Sequence, residues 1–229
     1  MTHHSGRRAI ALVSGGLDSV VSLAGAREEL EVRLVLFMNY AQRALARERG
    51  AVMAVVDYYG LPMREVDVEW LGSISPQGMC ATPENREAGQ GDSAPLDTLD
   101  AVWIPNRNGV FLNVAAAFAE SYGCDVVVTG FNREEAAEFP DNSAEYVTRV
   151  DAALELSTRS GVRVRSFTQG LDKRGILRLG VRLGAPLSVV WSCYLAGSRM
   201  CGACASCRRL RGALDRLSED EKPPIEFDA

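Results

Sequence analysis

Ala9-Ile10-Ala11-Leu12-Val13 is a short apolar run of the kind that forms a strand buried on both faces, and it stops at Ser14-Gly15-Gly16-Leu17-Asp18-Ser19. A helical stretch opens at Asp18 and continues to about Leu30. Strand, glycine turn and helix in that order narrow the fold more than any other feature of the chain, because they form the first half of a βαβ unit. The two glycines let consecutive backbone N–H groups point at an anion, and the helix adds the positive end of its dipole. Ser14 and Ser19 offer hydroxyl donors. The turn is suited to phosphate, without a Walker-type lysine in it. Asp18 fits beside phosphate only as a helix cap or as a ligand that holds magnesium through water. A plain glycine turn with Asp18 or Ser19 as its N-cap is the bland alternative, which the glycines alone do not exclude.

The same rhythm continues downstream. Val32 to Phe37 predicts a second strand, and a helix follows from about Leu45 to Tyr59, with Gly60 as its stop signal and Pro62 beyond. Val66-Asp67-Val68 predicts a third strand; Phe111 to Tyr122 predicts a buried helix closed by Gly123. Asp125 to Gly130 and Val162 to Ser166 complete the strands. Alternation of this kind predicts an α/β fold with a doubly wound, mainly parallel, Rossmann-like sheet. Two segments break it. The stretch from Trp70 to about Leu99 is rich in Gly, Pro, Ser and Asp and reads as a lid or mobile loop. From Trp191 a cysteine cluster takes over and ends in a short helix near Ser206–Leu217. We therefore expect one domain over residues 1–190 and a small C-terminal segment, 191–229, packed on it.

Four of the six cysteines, Cys193, Cys201, Cys204 and Cys207, form a C-x7-C-x2-C-x2-C array. Thiolates at two-residue separations can reach one ion from a tight knuckle, and four of them satisfy tetrahedral zinc with no open position. Such a site is structural, its binding energy being folding energy. A four-iron cluster is the competing occupant of such spacing. Cys80, in the irregular loop, and Cys124, just before a buried strand, read as unmetallated buried thiols.

The 229 residues carry a net charge of −5, with Lys173 and Lys222 as the sole lysines and the basic run Arg208-Arg209-Leu210-Arg211 flanking the cysteines. An acidic chain with no basic stripe argues against nucleic acid as a partner. No apolar run approaches the roughly 20 residues of a membrane span, and the apolar segment behind the charged N-terminus is too short for a signal-peptide core, so a cytoplasmic protein is expected.

The S-G-G-L-D-S string resembles the PP-loop of the N-type ATP pyrophosphatases, which share an adenine nucleotide alpha hydrolase-like fold and split ATP between its α- and β-phosphates. With the cysteine array, the chain resembles the 7-cyano-7-deazaguanine synthases of queuosine precursor biosynthesis almost end to end. Further strings that carry the likeness are Asn39-Tyr40-Ala41-Gln42-Arg43, Ile104-Pro105-Asn106-Arg107-Asn108, Gly130-Phe131-Asn132-Arg133-Glu134-Glu135, Phe139-Pro140-Asp141-Asn142-Ser143 and Trp191-Ser192-Cys193-Tyr194. One departure is Asn39-Tyr40-Ala41-Gln42, where many relatives read Asp-Tyr-Gly-Gln.

The resemblance implies an ATP-dependent carbon–nitrogen ligase that turns 7-carboxy-7-deazaguanine and ammonia into the 7-cyano base through an adenylated acid and an adenylated amide. It implies ATP with Mg2+, structural zinc and a homodimer. The ATP-binding stretch would comprise Val13, Ser14, Gly15, Gly16, Leu17, Asp18, Ser19, Val20, Val21, Ser22 and Leu23. Asp18, Ser19 and Arg107 would be catalytic. Arg107 carries two readings, a fork for a substrate carboxylate or phosphate and a loop-stabilising surface residue. Gly130 lies where ligands enter a doubly wound sheet. A guanine-like ring presents N–H donors along one edge and calls for an acceptor, for which Glu134, Glu135 and Asp141 are candidates, each equally readable as a solvated or capping charge. The competing classes are a PP-loop enzyme that inserts sulfur into tRNA, which needs a free cysteine, a related scaffold activating a different carboxylate, and a non-enzymatic nucleotide-binding or zinc-stabilised interaction protein.

Overall fold

The period-two alternation of three short apolar segments divides the hydrophobic core. In the computed structural model, which describes residues 6–75, 79–80 and 99–228, β1 (Arg8–Leu12), β2 (Glu31–Asn39) and β4 (Val126–Thr129) send alternate side chains to opposite faces of one sheet. Ala9, Ala11, Val35, Phe37, Val126 and Val128 fall on one face, and Ile10, Leu34, Leu36, Met38 and Val127 on the other. Strands apolar on both faces must be covered on both, as in parallel sheets built from βαβ units.

The sheet is five-stranded, in the order β3-β2-β1-β4-β5, with β3 at Met63–Asp67 and β5 at Arg163–Ser166, and every pairing is parallel. On one face lie α1 (Leu17–Glu29), α2 (Leu45–Tyr59), the helix Lys173–Arg182 and the C-terminal helix Ala205–Leu214. On the other lie Glu69–Ser73, Arg107–Ser121 and Ala144–Ser157. β1 pairs with β2 on one side and β4 on the other, so chain order reverses between β1 and β4 and leaves a crevice at their carboxyl ends.

The third strand covers Met63–Asp67 instead of 66–68, because this edge strand carries charged residues that hide it. The buried helix starts at Arg107, four residues before Phe111. Part of the irregular stretch from Trp70 to Leu99 lies outside the described residues, and its first residues close the short helix Glu69–Ser73. Three helices without a sequence prediction, Arg133–Glu138, Ala144–Ser157 and Lys173–Arg182, each begin on a capped polar residue. Asn132, Ser143 and Asp172 accept N–H bonds of 3.0, 3.1 and 2.8 Å from the residue three further on. No helix among the described residues is long and apolar enough to cross a membrane.

Candidate active site

A cavity of about 250 Å3 opens at the carboxyl ends of β1, β2 and β4, and the glycine turn forms part of its wall. Gly15 has φ +80, and a Cβ there would sit 2.8 Å from the Cβ of Ala51 and 2.9 Å from the carbonyl oxygen of Glu48. Conformation and space both demand glycine at that position. Gly16 is the N-cap of α1 and makes no side-chain capping bond, so neither Asp18 nor Ser19 caps this helix. The serines brace the turn itself. Ser19 Oγ donates to the Gly16 carbonyl at 3.0 Å and accepts from the Ser14 N–H at 3.2 Å, while Ser14 Oγ accepts from the Gly16 N–H at 3.4 Å. The Ser19 proton is therefore committed within the turn instead of being offered to a ligand.

The cation missing from the turn arrives from elsewhere. Lys173, at the first position of its helix and 6% exposed, donates from Nζ to Asp18 Oδ2 and, at 2.9 Å, to Glu135 Oε1. Burial pushes the Asp18 carboxyl up to about 6, with Lys173 opposing and Glu135 and Glu134 adding to the rise. Burial also acts upward on Glu135, but the charge and hydrogen bond of Lys173 outweigh it and hold Glu135 below its ordinary value. Burial works against the charge on Lys173, yet its two carboxylates raise it above the ordinary lysine range and keep the ammonium protonated. Asp18 Oδ1 and Thr129 Oγ1 are buried without a hydrogen-bond partner among the described residues.

Gly130 lines the cavity where β4 ends, and a Cβ there would stand 2.6 Å from the Ser19 backbone nitrogen and 2.8 Å from Ser19 Cα. The opposite wall is aromatic and apolar. Arg107 lines it with its guanidinium 5.7 Å from the Tyr40 ring centroid, and Tyr40 in turn lies 5.6 Å from Phe111 at a tilt of 51°. Arg107 is thus a half-buried residue of the cavity wall. Glu48 also faces this cavity; burial pushes its carboxyl up to about 7, against the hydrogen bond from Gln42 and the charge of Arg107.

The cysteine segment reaches the same place. The four sulfurs lie within 4.8 Å of one another, with Cys201 Sγ and Cys207 Sγ 3.9 Å apart. Sulfurs about 2.3 Å from a tetrahedral centre are separated by about 3.8 Å, so the cluster fits one such metal ion. Backbone N–H groups of Leu195 and Cys201 donate to Cys193 Sγ, and those of Ala203 and Cys204 to Cys201 Sγ, which suits thiolates. Directly before the cluster, Trp191 N–H donates to the Gly15 carbonyl at 2.8 Å, and Ser192 Oγ accepts from the Leu17 N–H at 3.2 Å. Cys193, Met200, Cys204, Cys207 and Leu210 share one buried cluster with Val13 and Leu17. Tyr194, Ser206 and Arg209 line the cavity.

Among the other residues singled out from sequence, Val13, Ser14, Gly16, Leu17, Asp18 and Ser19 line the cavity. Gly15 shapes the turn from behind. Val20, Val21 and Leu23 are wholly buried in the core, and Ser22 Oγ donates to the Thr129 carbonyl at 2.5 Å, so these four hold the helix to the sheet. Glu135 lines the cavity but is tied to Lys173. Glu134 instead faces a second concavity with Arg174 and Arg209. Asp141 accepts from Asn142 Nδ2 at 3.2 Å, and Asn142 is the residue of that pair that lines the cavity. Sequence reasoning missed Lys173 and Glu48. One of two lysines in an arginine-rich chain, directly after the N-cap Asp172, was the available signal for the first; no local signal marks the second.

Residues 8–218 match the family described as queuosine biosynthesis protein QueC. The chain is 47% identical to the 7-cyano-7-deazaguanine synthase of Pelotomaculum thermopropionicum over 209 residues, 88% of this chain and 94% of that one. It is 46% identical to the synthase of that name from Carboxydothermus hydrogenoformans, covering 90% and 97% of the two chains. The corresponding figures for Desulforudis audaxviator are 47%, 90% and 96%. Among solved structures, a 4-thiouridine synthetase–RNA complex with bound ATP is similar at a TM-score of 0.49 and 18% identity, over 78% of this chain and 41% of that one.

Proposed function

The chain belongs to the family of the queuosine biosynthesis protein QueC, and from that premise we propose that it converts 7-carboxy-7-deazaguanine and ammonia into 7-cyano-7-deazaguanine, consuming two ATP. The observation that carries the reading is the juxtaposition of Lys173, Asp18 and the glycine turn in one cavity.

A carboxylate resists attack because its leaving group would be an oxide. In the first half-reaction a carboxylate oxygen attacks the α-phosphorus of ATP, the bond to the β-phosphate oxygen breaks, and pyrophosphate leaves. Ammonia then adds to the carbonyl carbon, AMP departs with the C–O electron pair, and the nitrogen loses a proton. Adenylation of the amide oxygen by the second ATP lets AMP leave again; loss of the two remaining N–H protons gives the nitrile. The N-terminus of α1 would hold the phosphates, the Ser14, Gly16 and Leu17 N–H groups being taken up by serine hydroxyls, and Lys173, which already meets Asp18 and Glu135, would balance the charge that grows on departing pyrophosphate. Asp18, with its unpartnered Oδ1, would hold magnesium, which shields the phosphate charges when bound. Zinc is the metal we assign to the four cysteines, in a structural role, since four thiolates leave it no open position.

Sulfur transfer to tRNA is disfavoured by the remaining thiols. Cys80 and Cys124 are buried, and burial pushes both upward, Cys80 to about 11, so neither supplies a thiolate. The test is incubation with ATP, magnesium, ammonium and 7-carboxy-7-deazaguanine, followed by mass analysis of the base. Conversion to the nitrile with two AMP released per base is expected; an unchanged base refutes the proposal.

A further inference from the structure

Three carboxyl groups line the cavity, and two of them, Asp18 and Glu135, are joined to Lys173. The third, Glu48, makes no ion pair among the described residues. Its Oε2 accepts from Gln42 Nε2 at 2.8 Å. That amide is locked at its other positions, since Nε2 also donates to the Met38 carbonyl at 3.1 Å and Oε1 accepts from the Tyr40 N–H at 2.9 Å. Gln42 therefore presents a donor to Glu48 and cannot turn over. The same cavity is lined by Tyr40, Phe111, Met38, Met79 and Leu112, an apolar surface suited to a flat ring. A half-buried acceptor-only group that receives one donor, from Gln42, keeps acceptor positions for the donors of a ligand.

We propose that Glu48, oriented by Gln42, is the group that reads the base, accepting the paired N–H donors of the amino-lactam edge of the deazaguanine ring. The assignment rests on the synthase reading above and supplies the acceptor that Glu134 and Asp141, outside the cavity lining, do not. An ionised carboxylate matches two adjacent donors; adenine offers one donor beside an acceptor and matches a carboxamide or a protonated acid instead. The titratable groups around Glu48 are Tyr40 and Arg107, with Cys80 adjoining both. Burial pushes Tyr40 above its ordinary value and Cys80 to about 11, so both stay neutral and Arg107 stays charged near pH 7. Glu48 is the member of this group poised to change state there, and engaging a donor edge requires its charged form. Binding of the acid is therefore expected to release protons at pH 6.5.

The experiment is calorimetry of wild type and Glu48→Gln with 7-carboxy-7-deazaguanine, and separately with a non-hydrolysable ATP analogue, in buffers of different ionisation enthalpy. Loss of a charge-assisted bond predicts about 10–100-fold weaker binding of the acid. The ATP analogue should bind Glu48→Gln within about twofold of wild type, which also reports a folded variant. Proton release on binding the acid should vanish in the variant, a readout that a purely structural role would not move. Equal acid affinity in both proteins overturns the proposal, as does a change of affinity in either direction confined to the ATP analogue, which would assign Glu48 to adenine. Wild type that fails to bind the acid at all overturns the synthase reading itself.

Discussion

Gly130→Ala isolates the contact between the end of β4 and the start of α1. The added Cβ would lie 2.6 Å from the Ser19 nitrogen, 2.8 Å from Ser19 Cα and 3.0 Å from the Asp18 carbonyl carbon. All three are backbone atoms, so no side chain can swing away. Restoring an ordinary contact of about 3.4 Å requires about 0.8 Å of backbone movement between the strand and the phosphate helix. Overpacking of this kind costs about 1–3 kcal/mol, or several degrees of Tm in a chain of this length. The catalytic penalty is larger in proportion, because a shift near 1 Å in a positioning element costs about 100-fold in rate. Gly50→Ala is the control: it lies in α2, where a Cβ meets nothing within 4 Å, and is expected to leave kcat unchanged while stabilising by up to about 1 kcal/mol. Thermal unfolding and pyrophosphate release on the two variants decide the matter. A Gly130→Ala enzyme with wild-type Tm and kcat would refute the claim that this close approach fixes the loop.

Asp18→Asn tests the buried ion cluster. Because burial raises the Asp18 carboxyl from 3.8 to about 6, its protonated form stabilises the fold at low pH, and that stability is lost as pH rises through 6. An uncharged Asn escapes the loss, so the stability of the variant relative to wild type should grow, by on the order of 1 kcal/mol, between pH 5 and 8, read from urea midpoints, while turnover collapses. Chelation of the metal, or Cys207→Ser, should remove hydrogen-exchange protection at the Leu17 amide and weaken ATP binding at least about tenfold, because Ser192 and Trp191 anchor the turn from the cysteine side. Ala41, at φ +61, occupies the left-handed region that favours glycine; Ala41→Gly should raise Tm by about 1–4 °C, after the entropy cost of glycine is deducted.

The parts of this molecule legible in its sequence are those whose signal is local. β1 declares itself by five apolar residues and a glycine turn, and Leu45–Tyr59 by a clean stop at Gly60, which has φ +65. The cysteines announce their cluster by spacing alone. What escapes is whatever depends on distant segments meeting. Lys173 reaches Asp18 across 155 positions of sequence. Glu48 enters the cavity because α2 packs its first turn against Gly15, a contact that leaves no trace in periodicity. Ala144–Ser157 has one wholly buried residue, Leu154, and so lacks the apolar stripe by which a helix is usually read. Glu134 and Asp141 show the converse: a carboxylate in the right string need not line the cavity.

The two hydrogen bonds from Trp191 and Ser192 to the glycine turn make the enzyme's nucleotide economy answerable to its thiols. A chain whose knuckle is stripped or oxidised would lose the brace that Trp191 and Ser192 give the glycine turn.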